Sequence, residues 1–275
     1  MQRQATALSP ASRWLTRVIS VVYLVLGLIM FAAPNWSARH FPWKVSAFVA
    51  MTIGSYLLGN AWIGVIVQRT WTFARVYTLL SYLWLFGLLE TVVVIIHRAK
   101  LITGAVLTTP YLVMLGLTVV AALAGLADWI RLRPPLRSGG RRKPALVLSL
   151  EIVFVVLVAF IAAIVLDAPK AALDARYFPQ PLTTFTLGAL GVFYLSLSLS
   201  VLFMLGQRGT ATLITYLQGT VGLLIVIVIA TLVFIGIFHF GTHPRHIVYL
   251  AAYLVVLVGA VALLGWGRRS ADTPA

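Results

Sequence analysis

The 275-residue chain contains no cysteine, only six acidic residues, and just 10% charged residues in all. Without cysteine there is no disulfide or thiolate chemistry, and the redox compartment stays open. So little charge excludes a water-soluble fold, because soluble domains carry about 25% charged residues and need polar groups to cover their surface. Motifs with a chemical mechanism are also missing: there is no P-loop, no HExxH, no nucleophile elbow and no GxGxxG in a strand context. None of the apolar runs is broken in the Gly/Pro-rich way that marks many transporter sites. Any ligand site must therefore lie between helices.

What the chain has in quantity is hydrophobic surface, 61% of its residues, with a mean hydropathy of +1.01. Only helices and closed barrels satisfy every backbone group in lipid. A barrel would alternate over segments of about ten residues, whereas here the runs are unbroken and about twice as long, the length a spanning helix needs. Eight spans are predicted: Leu15–Ala33, Val45–Val67, Val76–Ile96, Tyr111–Ile130, Ala145–Leu166, Phe185–Leu205, Leu213–Phe238 and Ile247–Trp266. The first is too long for the apolar core of a signal peptide and is kept as a helix.

The net charge of +15 would point to nucleic acid in a soluble chain. Here it sorts by membrane side, and no nucleic acid is expected. With an internal N-terminus, 14 of the 21 basic residues fall on the cytoplasmic side and 7 outside, which places both termini in the cytoplasm. Six of the eight tryptophans lie near span ends, as an aromatic belt requires. Arginine outnumbers lysine 17 to 4, pointing to a bacterial source and hence the inner membrane.

The chain repeats itself at an offset of about 137 residues. SARHFPW (37–43) is answered by DARYFPQ (174–180), so that Arg39, Phe41 and Pro42 fall on Arg176, Phe178 and Pro179. Gly54 falls on Gly191, Gln68-Arg69 on Gln207-Arg208 with two residues inserted, and Trp129 and Arg131 on Trp266 and Arg268. This divides the chain into two units, 1–137 and 138–275, joined by a basic linker at about 131–144. The expected fold is an all-α integral membrane protein with eight transmembrane helices. They form two tandem four-helix repeats, parallel because an even number of spans returns the chain to the same side. The repeated loop reads as a helix start and interfacial anchor, with each proline in the first turn of the helix that follows. The alternative is an anion site between Arg39 and Arg176.

Each unit resembles the small four-helix bacterial membrane proteins grouped as DoxX-like. The likeness rests on MFAAP and LDAP at the end of the first helix, the R-x-F-P loop, a glycine-bearing second helix and an internal Q-R turn. Some proteins of that group are subunits of quinone-linked oxidoreductases. No quinone or metal motif is present here, so no functional residue and no cofactor is carried over.

One intramembrane ionisable residue stands out: Glu90, in WLFGLLETVVVII. Such a group is costly in lipid and is a functional candidate by default. Its repeat equivalent is Ile229. Three environments are open: a pair with Arg39, a hydrogen bond to Asn60 or Ser55, or a wet cavity. Glu151 is matched in depth by Arg17. His239, His243 and His246, in HFGTHPRH, are weak metal candidates, because Gly241 and Pro244 interrupt a common helix face. Ser196, Ser198 and Ser200 read as close-packing positions. Two functions are carried forward. The first is a non-catalytic membrane component, meaning an accessory subunit, scaffold or lipid-interacting protein. The second is a small-solute or ion transporter with a site between the repeats near Glu90. Membrane lipids are the expected partners; a protein partner or a second copy of the chain stays open.

Overall fold

Hydrophobic runs of this length become helices because lipid leaves the backbone no partner but itself. In the computed structural model, which describes residues 7–136, 139–171, 178–207 and 209–272, that is what they do. The long helices are α1 (Pro10–Ala32), α3 (Ala47–Thr70), α4 (Phe73–Ile96), α5 (Thr108–Leu132), α6 (Ala145–Ala171), α7 (Thr184–Leu205), α8 (Thr210–Val233) and α9 (His246–Asp272); α2 (Pro34–Arg39) is a short addition. All eight long helices are long and apolar enough to cross a bilayer. The chain is a multi-pass membrane protein. Among the described residues there is no strand, only an isolated bridge between Arg142 and Gly209.

Helix starts are set by caps that hydropathy does not register. The first helix begins five residues before the predicted span, at Pro10, with Ser9 as its N-cap accepting from the Ser12 N–H. Ser9 and Ser12 in turn bind Asp128 near the end of α5: both hydroxyls and the Ser9 N–H donate to Asp128 Oδ2, at 2.5 Å for Ser12. Arg131 donates to Oδ1 at 3.1 Å. Beside this clasp, Arg13 and Gln68 exchange hydrogen bonds between side chain and backbone, at 2.9 and 2.8 Å. The Q-R turn thus fastens the end of α3 to the start of α1. Asp128, outside the apolar middle of α5 but within the helix, is the anchor of this end.

The repeated loop departs from expectation. Pro42 and Pro179 do not open the following helices. Ser46 caps α3 and Thr183 caps α7, each accepting a backbone N–H three residues on. Pro42 lies in the bend before Ser46, and its carbonyl accepts the Ile102 N–H at 2.7 Å, joining the α2–α3 and α4–α5 connections. The eighth span's predecessor, α8, also ends earlier than predicted. It stops at Val233 and tightens into a single 3-10 turn at Ile235–Ile237.

Four helices, α3, α4, α7 and α8, meet in the centre: α3 packs on α8, α4 on α7, and α4 on α8. On one flank, α1 packs on α3 and on α5, while α5 packs on α4; on the other, α6 packs on α7 and α9 on α8. The most enclosed helix is α3, whereas α6 and α9 turn most of their surface outward. Glycines permit the closest approaches. A Cβ on Gly59 would lie 2.1 Å from Leu223 Cδ1 and 2.9 Å from the Leu223 Cα, and one on Gly125 would enter the Trp84 ring. Gly116, by contrast, faces open space.

Gly59→Val should therefore force α3 away from α8, because the obstructing atoms include backbone. Overpacking of this kind costs about 1–3 kcal/mol. The expected outcome is a clearly lowered thermal midpoint in detergent for Gly59→Val and little change for Gly116→Ala. Equal midpoints would show that the α3–α8 contact is not close-packed.

Candidate functional site

The α4 helix carries Glu90 six residues before its end at Ile96, about 9 Å inside that end at 1.5 Å per residue. The side chain is 1% exposed. Its partner is Tyr111, in the first turn of α5, whose hydroxyl donates to Glu90 Oε1 at 2.8 Å. Glu90 Oε2 has no hydrogen-bond partner. Glu90 lines a void of about 20 Å3 together with Tyr56, Leu57, Phe86, Tyr111, Thr186 and Leu190. That volume suits a single water and nothing larger.

An aromatic lid packs on Tyr111 at the nearer end of the bundle. Trp43 lies edge-on to Tyr111 at 5.4 Å, stacks on Phe185 at 3.9 Å and meets Phe41 at 4.5 Å. Both Phe41 and Trp43 are buried. The Trp43 indole N–H donates to Thr186 Oγ1 at 3.1 Å, so the polar edge of the ring is satisfied by α7. His97, one residue past α4, stacks on Phe185 at 5.3 Å. Burial first, and then the Lys100 ammonium, hold its imidazole below the ordinary value, which favours the neutral ring. The first copy of the repeated loop thus does more than anchor: its Phe41 and the following Trp43 pack on Tyr111, the tyrosine that binds the carboxyl.

The residues expected beside Glu90 are placed elsewhere. Arg39 ends α2 and forms no ion pair with Glu90. Asn60 Oδ1 accepts from the Tyr82 hydroxyl at 2.8 Å, and the Ser55 hydroxyl donates to its own helix at Met51 O. Of the second loop, Phe178 packs against Tyr249 at 5.9 Å, Pro179 lies in a bend, and Arg176 lies outside the described residues. Glu151 pairs not with Arg17 but with Lys143, 2.7 Å away and equally buried. The Lys143 ammonium also reaches the Met204 carbonyl of α7 at 3.4 Å.

The three histidines lie in a row at the α8–α9 connection, His239 to His243 at 6.5 Å and His243 to His246 at 5.3 Å between ring centroids. Among the described residues, no group of three His, Asp or Glu side chains is gathered to hold a metal ion. Ser196 and Ser200 donate to carbonyls of α7 itself, while Ser198 donates across to Val155 O of α6 at 3.0 Å.

Tyr111 is the functional neighbour the sequence reading missed. A depth argument would have found it: Glu90 and Tyr111 lie within two turns of the same bundle end, on helices joined by a short connection. No known protein family matches the chain, and neither does any curated protein or solved structure.

Chemically the site is a carboxyl with one donor, an unpartnered second oxygen and a one-water void beside the residue, with no cation paired to it among the described residues. Tyr111→Phe should destabilise the protein by about 1–3 kcal/mol, because it strands a buried acceptor. The double variant Tyr111→Phe with Glu90→Leu removes both partners and should recover most of that loss. Thermal unfolding of the wild type and the three variants in one detergent measures this. Additive losses would show that the two groups are not coupled.

Proposed function

We propose that the chain is a non-catalytic component of a bacterial inner membrane: an accessory subunit, scaffold or lipid-interacting protein. The observation that carries this reading is the smallness of the space at Glu90. A buried carboxyl bound by Tyr111, with about 20 Å3 beside it, is built as an interior contact; a hydrated ion or metabolite does not fit there.

We further propose that the chain is two parallel tandem units, 1–137 and 138–275, each of the DoxX-like kind, with both termini in the cytoplasm. The pattern of neighbours supports the duplication. The α1–α3 contact is answered by α6–α7, α4–α5 by α8–α9, and α3–α8 by α7–α4. Gly54 and Gly191, matched in sequence, serve matched contacts: added Cβ atoms would meet Met30 of α1 and Leu166 of α6. The charge asymmetry between loops supports the orientation.

A second reading, transport of a small solute or ion past Glu90, is favoured by one observation, the unpartnered Oε2 of a residue that lines the void. Thiol labelling separates the two, since the native chain has no cysteine. Single cysteines at Glu90 and Thr186 are treated with a membrane-impermeant maleimide in oriented vesicles, in variants that elute as monodisperse protein. Both should stay unlabelled from either side. Labelling of either one would show water reaching the site and would replace the component reading with transport.

A further inference from the structure

A second open space in the bundle is remote from Glu90. It is a groove of about 450 Å3 between α3, α8 and α9, at the ends where α3 and α9 finish. That volume lies within the range of small-molecule sites. Two arginines line it, Arg69 in the last turn of α3 and Arg268 near the end of α9, together with Gln218 of α8. Among the described residues, neither guanidinium is engaged by another group and no acidic side chain lines the groove; both arginines are exposed. Away from the arginines the walls turn apolar, with Ile66, Ile225 and Leu264. The floor is Trp62, seven residues before Arg69, or about 10 Å deeper along the helix. Its ring lies across α8 at Gly222, where a Cβ would come within 2.1 Å of it, and its N–H donates to the Gln218 carbonyl at 2.9 Å.

We propose that this groove holds one anionic phospholipid, with the phosphate taken by Arg69 and Arg268 and the start of an acyl chain laid along Ile66, Ile225, Leu264 and Trp62. A pair of guanidiniums matches phosphate oxygens in charge and planar geometry. The cationic end lies at the helix ends, where headgroups are, and the apolar end runs into the hydrocarbon, so the polarity of the groove is that of a lipid. A free phosphate would use the arginines and leave the apolar half empty. The inference rests on the lipid-interacting form of the function proposed above and adds the lipid class and the residues.

Native mass spectrometry of the full chain, released from micelles doped with phosphatidylglycerol or phosphatidylcholine, tests it. The wild type should retain one phosphatidylglycerol in preference to phosphatidylcholine. The double variant R69Q/R268Q should lose that preference, with retention about a hundredfold weaker, about tenfold for each of the two lost charge-assisted contacts. Ile225→Trp fills the apolar half and should also release the lipid with both arginines in place. Unchanged phosphatidylglycerol retention in either variant would overturn this site while leaving the protein lipid-interacting. Displacement of the lipid by inorganic phosphate would assign the groove to a free anion and overturn the lipid. Retention of neither lipid by the wild type would overturn both this inference and the lipid-interacting reading.

Discussion

Hydrocarbon offers no hydrogen bond, and the polar content of this chain is arranged around that single fact. Serine and threonine are common in its helices, and most of their buried hydroxyls are hydrogen-bonded, Thr78 being an exception. Thr16, Ser20, Thr52, Ser55, Thr118, Ser196, Thr220 and Thr231 each donate to the carbonyl four residues back on the same helix. Each thereby behaves towards its neighbours as a small, nearly apolar residue, which lets helices come close without an energetic penalty for the hydroxyl. Hydroxyls without such a bond tend to reach across. Thr212 donates to Ala74 O at 2.7 Å and Tyr77 to Phe203 O at 3.0 Å, and both bonds join the first four long helices to the last four.

That junction is also where the aromatic side chains collect. Phe193 of α7 stacks on Tyr56 of α3 at 3.9 Å and takes Tyr82 and Phe86 of α4 edge-on. Since lipid tails are as apolar as leucine, burial alone does not drive helices together in a membrane; close van der Waals fit and a few polar contacts do. Flat rings stacked across the centre, with Gly59 and Gly125 notched to receive Leu223 and Trp84, supply that fit. The tyrosine hydroxyls at the edge of the cluster then find one another: Tyr253 lies 2.5 Å from Tyr194 and 3.4 Å from Tyr56. The lid on Tyr111 extends the same packing towards one end of the bundle through Trp43 and Phe185.

The spans were legible because they depend on summed hydropathy over twenty residues, and that sum survives errors at either end. Their ends were less legible, because they depend on single caps. Ser9, Ser46 and Thr183 look like any other small polar residue in a loop, while Pro42 offered a more conspicuous but wrong start. Glu90 was legible as an oddity, since a carboxyl in an apolar run needs a reason. Its partner was not, because Tyr111 is on another helix and is unremarkable near a span end, where aromatic residues are commonplace. For the same reason Glu151 was assigned to Arg17 by depth; the hinge-like linker instead folds Lys143 back onto it. The Arg69–Arg268 groove needs three helices to be placed before it exists at all.

The two halves are closed by different devices, and the difference accounts for the groove. In the first half, Asp128 ties α5 to the start of α1, so both outer helices are held against the centre. In the second half the buried ion pair is Lys143 with Glu151. It joins the linker, α6 and, through the Met204 carbonyl, α7, but includes no residue of α9. That helix packs mainly on α8 and leaves most of its surface outward. Tyr253 of α9 reaches α3 and α7, but towards the end of α9 a gap opens beside α3, lined by Trp62 and by Arg69 and Arg268, which pair with no other described residue. A vacant apolar gap within a membrane forfeits dispersion contacts along its walls; a lipid chain restores them, and a phosphate at its head meets the two cations. The gap that α9 leaves beside α3 is thus the feature that fits this end of the bundle to hold a lipid.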